Sequence, residues 1–559
     1  MKNRTPRMSV LQTMVLLFAG VTLASGCGND DSASPGGGGQ GGHGGQGGQG
    51  GGGAGGGCAT SVAPAPGTAI TQSGAVTGAK AGTTWAFKGI PYAAPPVGEL
   101  RWRAPEPVAC WSDARPATEF GPECSQLDAD GNPTGSEDCL TLNVWAPEDA
   151  SADDPVPVLF FIHGGGNTNG STSKPVGDVV MYDGQALSER GHVAVVTIEY
   201  RLGPLGWLSH PSFAPEGAPG QTGNYGALDQ VFALAWVKAN IASFGGDPAR
   251  VMVFGESAGG QNTCLMLTTP LAKGLFSSAL IQSGGCSAQP QADADATAKD
   301  WAVQAGCDTD PDPAACMRAL SADEVVKLVP APVDVAGKQG PYQPHVDGYL
   351  LADLPLKVLE AGEHNHVPLV VGANENETAK TVPDMTEAQY EAAVTALFGV
   401  VAGPVLMEYP IADYATPRDA YVALTSDLKF ICTARRTARA AASAQQEPVY
   451  RYHFTHVLDN VGPAGKKNGA YHGLELLFVF DKLTIANYVA STAEKDLAAA
   501  MGGYWARFGA TGDPNGEGAV SWPVYDVQND PYLRLDSVIS AEEGVHTEKC
   551  DFWETLFPE

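Results

Sequence analysis

An α/β fold, with a large and mostly parallel central sheet covered by helices on both faces, is predicted from three observations on the sequence. Short apolar runs rich in β-branched residues alternate with longer stretches of helical character. The 559 residues are 43% apolar and include 10 Trp, 17 Tyr and 18 Phe, enough to fill a large core and to exclude disorder of the whole chain. After residue 58 no internal repeat or low-complexity segment breaks the pattern, so one large domain is expected over residues 58–559.

In chain order, residues 156–162 (Val-Pro-Val-Leu-Phe-Phe-Ile) are apolar throughout, as a strand buried on both faces requires. Residues 192–200 follow as a second such run, and 227–241 read as the first long helix. A short strand over 251–254 leads into a helix over 259–267, and a further strand occupies 278–282. Strands over 367–371 and 449–454 alternate with helices over 386–397 and 493–508. Such a sheet carries its active groups at the carboxyl ends of its strands, in the loops that leave them.

The first 57 residues stand apart. Lys2, Arg4 and Arg7 precede an apolar stretch from about residue 10 to 23, and Ala24, Ser25 and Gly26 supply small residues before Cys27. That is the pattern of a secretory signal, and it is shorter than the roughly 20 apolar residues needed to span a bilayer. Leu23 to Cys27 (Leu-Ala-Ser-Gly-Cys) resembles a bacterial lipobox, which implies a signal peptide over 1–26, a lipidated Cys27 and an anchor in the cell envelope. Gly28, rather than Asp, after the cysteine points to the outer membrane or cell surface. From residue 36 to 57 there are 17 Gly in 22 residues, a composition that builds no core. Residues 27–57 therefore read as a flexible tether with a root-mean-square reach of about 30 Å.

The chain carries 62 acidic against 33 basic side chains, a formal charge of −29, and loss of Lys2, Arg4 and Arg7 makes it 30 − 62 = −32. Nucleic-acid binding is excluded as a function class, because phosphates call for clustered Lys and Arg. With Cys27 set aside, the remaining ten of 11 cysteines are an even number, as an oxidising compartment favours. No metal centre and no cofactor are expected. No two cysteines have the spacing of a zinc module, the acidic run Asp128 to Asn132 lacks the glycine and glutamate of a calcium loop, and His364 with His366 lacks a further ligand nearby.

Three loops after strands carry chemistry. The strand at 251–254 runs into Gly255-Glu256-Ser257-Ala258-Gly259 and then a helix, the context of a nucleophile elbow. The glycines permit a strained turn that projects the Ser257 hydroxyl, and the helix N-terminus brings unpaired N–H groups close to it. Upstream, the strand at 156–162 ends in His163-Gly164-Gly165-Gly166, whose backbone N–H groups can approach a substrate oxygen without obstruction. A Gly-rich turn with no task is the alternative for that motif taken alone.

Together, Phe244 to Pro248 (Phe-Gly-Gly-Asp-Pro) with Gly255 to Gly260, and Glu137 to Trp145 (Glu-Asp-Cys-Leu-Thr-Leu-Asn-Val-Trp), resemble the two signatures of the type-B carboxylesterases, the family that includes cholinesterases and fungal lipases. Further matches lie at Gly89 to Tyr92, Tyr200 to Gly203, Gly223 to Gln230 and Cys550 to Trp553, so the resemblance covers nearly everything after the tether. It implies an α/β-hydrolase fold and a carboxylic-ester hydrolase that forms an acyl-enzyme. By the same matching, His472, in Tyr-His-Gly-Leu-Glu, is the general base for Ser257. Glu377 orients His472, with Glu375 two positions earlier as a second candidate. The resemblance also implies an oxyanion hole from the backbone N–H of Gly165, Gly166 and Ala258, and support of the histidine by Ser283 and Glu475. Its disulfides would be Cys124 with Cys139, Cys307 with Cys316 and Cys432 with Cys550; Cys58, Cys110, Cys264 and Cys286 are left over with their pairing open, Cys58 with Cys110 and Cys264 with Cys286 being the pairing taken. Arg101 with Glu137 and Arg201 with Asp229 match structural ion pairs.

The substrate is expected to be a small-molecule ester. Cholinesterases hold a quaternary ammonium against a tryptophan in the loop closed by their first disulfide; the matching residues 125–138 contain no aromatic side chain, so choline ester selectivity is not expected. A triacylglycerol lipase of the same family is one alternative, separable by its activation at an oil interface. A non-catalytic adhesion protein is another, but such members generally lack part of the triad. Acyl chain length, alcohol preference and oligomeric state leave no mark in the sequence.

Overall fold

A computed structural model describes residues 58–557, apart from 59–60, 64, 174, 178, 217–221, 330–335 and 337–339. The predicted signal, lipidation site at Cys27 and tether lie outside the described residues. The central sheet has 11 strands. In chain order they are β1 (Ala79–Ala81), β2 (Thr84–Pro91), β3 (Thr141–Pro147), β4 (Val156–Ile162), β5 (Ala194–Ile198) and β6 (Gly246–Glu256). There follow β7 (Ser278–Gln282), β8 (Leu369–Asn374), β9 (Val449–Phe454), β10 (Pro531–Leu535) and β11 (Ser540–Glu543). Across the sheet they lie in the order β11-β10-β9-β8-β7-β6-β4-β5-β3-β2-β1. From β10 to β5 every neighbouring pair is parallel; β11 at one edge and β3, β2 and β1 at the other are antiparallel. This is the α/β-hydrolase arrangement expected from the sequence.

Why these segments pair so is read from the alternation of side chains. Along β4, Val158, Phe160 and Ile162 join one buried cluster, while Leu159 and Phe161 join another on the opposite face. The first face is covered by α1 (Tyr225–Asn240), through Leu234 and Val237, and by α2 (Ala258–Thr268). The second is covered by α5 (Thr492–Thr511), whose Met501, Trp505 and Phe508 pack on Leu159, Met252 and Phe254. Between these in sequence lie α3 (Glu387–Phe398) and α4 (Cys432–Ala444). Removing a side chain such as Phe161 from this interior would cost about 3–5 kcal/mol, because the neighbours close the cavity only in part.

Element boundaries differ from the sequence reading for local reasons. β5 begins at Ala194 because His192, at φ 50°, terminates the preceding helix Gln185–Gly191. β6 begins at Gly246, since Gly246 pairs with Val156 ahead of a bulge that resumes at Val251. β8 continues to Asn374 because Gly372, Ala373 and Asn374 keep pairing with Tyr452, His453 and Phe454. The edge strands β1, β2 and β3 on one side, and β10 and the antiparallel β11 on the other, had no counterpart among the predicted strands. Five disulfides link Cys58–Cys110, Cys124–Cys139, Cys264–Cys286, Cys307–Cys316 and Cys432–Cys550. Arg101 and Glu137 form a bidentate pair at 2.6 Å, and Arg201 pairs with Asp229 at 2.7 Å.

Candidate active site

Three parallel strands, β4 and its neighbour β6, and β8 on the far side of β7, deliver the site at their carboxyl ends. β6 ends at Glu256, and Ser257 occupies the sharp turn into α2 with φ 58° and ψ −123°. A non-glycine residue there stores on the order of 1–3 kcal/mol of backbone strain. The flanking glycines make the turn possible by close approach: a Cβ on Gly259 would lie 2.0 Å from the Ile162 carbonyl oxygen. The Ser257 N–H donates to the Gln282 carbonyl at 2.9 Å, tying the turn to β7.

β4 ends at Ile162, and the chain then turns through His163, Gly164, Gly165 and Gly166. His163 is fully buried, stacked on Tyr200 at 4.4 Å, and the Tyr200 hydroxyl donates to the His163 carbonyl at 2.8 Å. Burial pushes the His163 imidazole down to about 4, which leaves it a neutral prop for the turn. Gly165 has φ 112°, and its carbonyl accepts from the N–H groups of Thr168 and Asn169 at 3.1 Å. A Cβ on Gly164 would stand 3.0 Å from the Ser257 Cβ, so this turn lies directly against the serine. Among the described residues, the backbone N–H groups of Gly165, Gly166 and Ala258 have no acceptor, and Ala258 opens α2, where the helix dipole is positive.

His472 lies in the loop before the short helix Leu476–Val479. Its Nδ1 donates to Glu377 Oε2 at 2.6 Å, and its backbone N–H donates to the Glu377 carbonyl at 3.1 Å. Glu377 follows β8 and is itself held, for its Oε1 accepts the Asn374 N–H at 2.7 Å. The other ring nitrogen, Nε2, lies 3.2 Å from Glu256 Oε1, beside the serine turn, and has no hydrogen-bond partner among the described residues. The imidazole packs on Phe430 at 4.8 Å. Burial alone would lower the His472 imidazole, but the Glu256 and Glu377 carboxylates outweigh it and raise it to about 9.

The structure thus joins His472 to Glu377, sets His472 against Glu256 at the base of the Ser257 turn, and sets the glycine turn against Ser257. Glu375 is directed elsewhere, with its Oε2 accepting from His453 Nε2 at 2.6 Å. Glu475 is fully buried; its carboxylate accepts from Gln282 Nε2 at 3.1 Å and from Asn374 Nδ2 at 2.5 Å. Burial, with Glu256 and Glu377 close by, pushes the Glu475 carboxyl up to about 8. Ser283 is buried with φ 47° and makes no side-chain hydrogen bond among the described residues. Neither Ser283 nor Glu475 is hydrogen-bonded to His472.

Sequence reasoning missed Glu256, whose carboxyl is raised to about 7 by burial, with His472 drawing it down and Glu377 pushing it up. It also missed the Asn374–Glu475–Gln282–Trp505 chain, in which Trp505 Nε1 donates to Gln282 Oε1 at 3.1 Å. For Glu256 a signal did exist, since the residue before the nucleophile must lie beside whatever the nucleophile faces. The chain had none, its members being separated by up to 223 residues.

Comparison with known proteins identifies the family. Residues 66–553 match the carboxylesterase family. A fumonisin B1 esterase of Sphingopyxis macrogoltabida is 35% identical over 493 residues, covering 85% of this chain and 87% of that protein. A para-nitrobenzyl esterase of Bacillus subtilis is also 35% identical, over 87% of this chain and 98% of its own length. Human cocaine esterase is 34% identical over 87% and 89% of the two chains. Among solved structures, a PNB esterase superposes with a TM-score of 0.75 at 33% identity, covering 88% of this chain and all of its own.

Proposed function

The chain belongs to the carboxylesterase family and is a carboxylic ester hydrolase, and from that premise we propose that it works through a Ser257–His472–Glu377 triad and an acyl-enzyme. The observation that carries the reading is the His472 imidazole, held at Nδ1 by Glu377 while Nε2 is left without a partner beside the Ser257 turn. His472 Nε2 takes the Ser257 hydroxyl proton as Oγ attacks the ester carbonyl, and the oxyanion is received by the N–H groups of Gly165, Gly166 and Ala258. Collapse of the tetrahedral intermediate breaks the bond to the alkoxide, which leaves with the proton from His472. A water molecule, deprotonated by the same imidazole, then attacks the acyl-enzyme, releasing the acid and restoring Ser257.

Substrate choice follows from what borders the turn. A cavity of about 310 Å³ begins at Thr168 and Asn169, just past the glycine turn, and is lined by Leu127, Pro204, Val326 and Tyr342 together with Ser125 and Asp128. Its Cys124–Cys139 loop brings no aromatic ring, which argues for dissolved esters with a compact apolar portion rather than choline esters. The test is hydrolysis of p-nitrophenyl esters from acetate to palmitate, beside emulsified triglyceride, by the parent and by Ser257→Ala. Turnover of short dissolved esters that falls by several orders of magnitude in the variant supports the reading. Equal rates in the two proteins would remove Ser257 from the mechanism, and strong activation at the oil interface would move the enzyme to the lipases. From Leu23 to Cys27 alone we also propose a lipid anchor on Cys27; mass analysis of the mature N-terminal peptide showing an unmodified cysteine would overturn it.

A further inference from the structure

Outside the triad, the described residues contain a second group of convergent side chains: Glu375 at the end of β8, His453 on β9, and His546 at the start of α6 (Thr547–Leu556). We propose that these three side chains bind a divalent transition-metal ion, zinc foremost, with a fourth position open to water.

One carboxylate oxygen of Glu375 and one ring nitrogen of each histidine already converge, all within 4.8 Å of one another. Glu375 Oε2 stands 2.6 Å from His453 Nε2 and 3.5 Å from His546 Nε2. Ligands of a tetrahedral zinc ion, with bonds of about 2.0–2.1 Å, lie about 3.3 Å apart, so the second spacing suits the ion and the first must open by about 0.7 Å. Two imidazoles and one carboxylate are the donor set of open zinc sites. The backbone holds two of them in register, because the Glu375 N–H donates to the Phe454 carbonyl at 2.9 Å and His453 pairs with Ala373.

The third ligand is oriented from behind. His546 Nδ1 donates to Asp427 Oδ1 at 2.5 Å, Asp427 Oδ2 accepts from the Tyr409 hydroxyl at 2.9 Å, and that hydroxyl accepts from Trp553 Nε1 at 2.8 Å. A carboxylate on Nδ1 is the usual outer partner of a metal-bound histidine; it fixes the tautomer and aims the Nε2 lone pair at Glu375 and His453. Solvent reaches the group, since the Glu375 and His546 side chains are 35% and 32% exposed while His453 is buried. The contrast is the group His456, Asp459 and Glu494, where the Glu494 carboxylate is already taken by N–H groups of Asp459 and Ser491 and by the Tyr488 hydroxyl.

Because the imidazoles must be deprotonated to ligate, loading releases protons and weakens toward acid pH. The ion would fasten the acid loop, which carries Glu377 two residues on, to α6 and to the helical turn Asp427–Ile431, whose Phe430 packs on His472. The sequence reading expected no metal centre and did not weigh these residues as ligands, Glu375 and His453 being 78 residues apart.

The test uses the full chain, stripped with chelator, loaded with zinc and passed through gel filtration before metal analysis. About one zinc per chain is expected in the parent and in Ser257→Ala, falling below about a tenth in His546→Gln and His453→Gln, with a zinc-dependent rise in Tm in the parent alone. No zinc in the parent, or equal loading in the variants, overturns the proposal and leaves a hydrogen-bonded clamp. Should the variants fail to fold, cobalt(II) bound to the parent decides. A visible ligand-field spectrum without a thiolate charge-transfer band supports the histidine–carboxylate site, and a thiolate band overturns it in favour of Cys27.

Discussion

Exchanging Glu256 for Gln removes the carboxylate that lies 3.2 Å from His472 Nε2 and keeps its volume. Two unit charges at that separation interact by about 5 kcal/mol at an effective dielectric near 20. Since 1.36 kcal/mol corresponds to one pH unit, a fully ionised Glu256 would by itself raise the imidazole by between about three and four. Burial pushes the Glu256 carboxyl up to about 7, with His472 opposing, so it is ionised near pH 9, where the imidazole titrates, and its charge acts there in full. The expected effect is therefore a shift of up to about three to four pH units. The sign follows from the base form: His472 accepts the Ser257 proton only when neutral, so activity fails as pH falls through its pKa. In the parent that pKa is raised from the ordinary 6.5 to about 9; removing a negative neighbour lowers it, and the acid limb of kcat/KM moves to lower pH. The assay is kcat/KM for p-nitrophenyl acetate from about pH 5 to 10 in parent and variant. An acid limb that stays in place, or moves upward, would refute the electrostatic account of this site.

Glu377→Gln keeps the hydrogen bond to His472 possible but loses the negative charge and favours the wrong tautomer; kcat is expected to fall by about 10⁴ with the fold intact by circular dichroism. A fall of less than tenfold would show that another group orients the imidazole. Replacing Cys432 and Cys550 together with Ser opens a link spanning 118 residues, for which loop entropy predicts a cost of about 4–5 kcal/mol. Denaturant unfolding of the two proteins under oxidising conditions measures it, and an unchanged midpoint would mean that the packing of Cys432 and Trp553 in one apolar cluster is sufficient without the bond.

The centre of the sheet was legible and its margins were not. β4 and β7 were read to the residue because β4 is apolar throughout and β7 is apolar between Ser278 and Gln282, as strands buried on both faces are in their interiors. β2 alternates buried with half-buried positions and carries Lys88 and Gly89, so it lacks that signature, and β3 was recognised as a motif rather than as a strand. Ser257 and the glycine turn were legible because their chemistry is compressed into five contiguous residues. His472 and Glu377 could be chosen only by resemblance, since what makes a histidine a base is a carboxylate 95 residues away in sequence. The groups left unread, Glu256 against His472 and Glu375 against His453 and His546, depend wholly on distances that only folding creates.

Covalent labelling of Ser257 tests the central claim most directly. A fluorophosphonate ester, whose phosphorus takes the place of the ester carbonyl carbon, is offered to the parent, to Ser257→Ala and to His472→Gln, and each is read by intact mass and peptide mapping. The account predicts a single adduct on the peptide containing Ser257, no adduct in Ser257→Ala, and labelling slowed by orders of magnitude in His472→Gln. An adduct on another residue, or labelling of His472→Gln as fast as the parent, would contradict it.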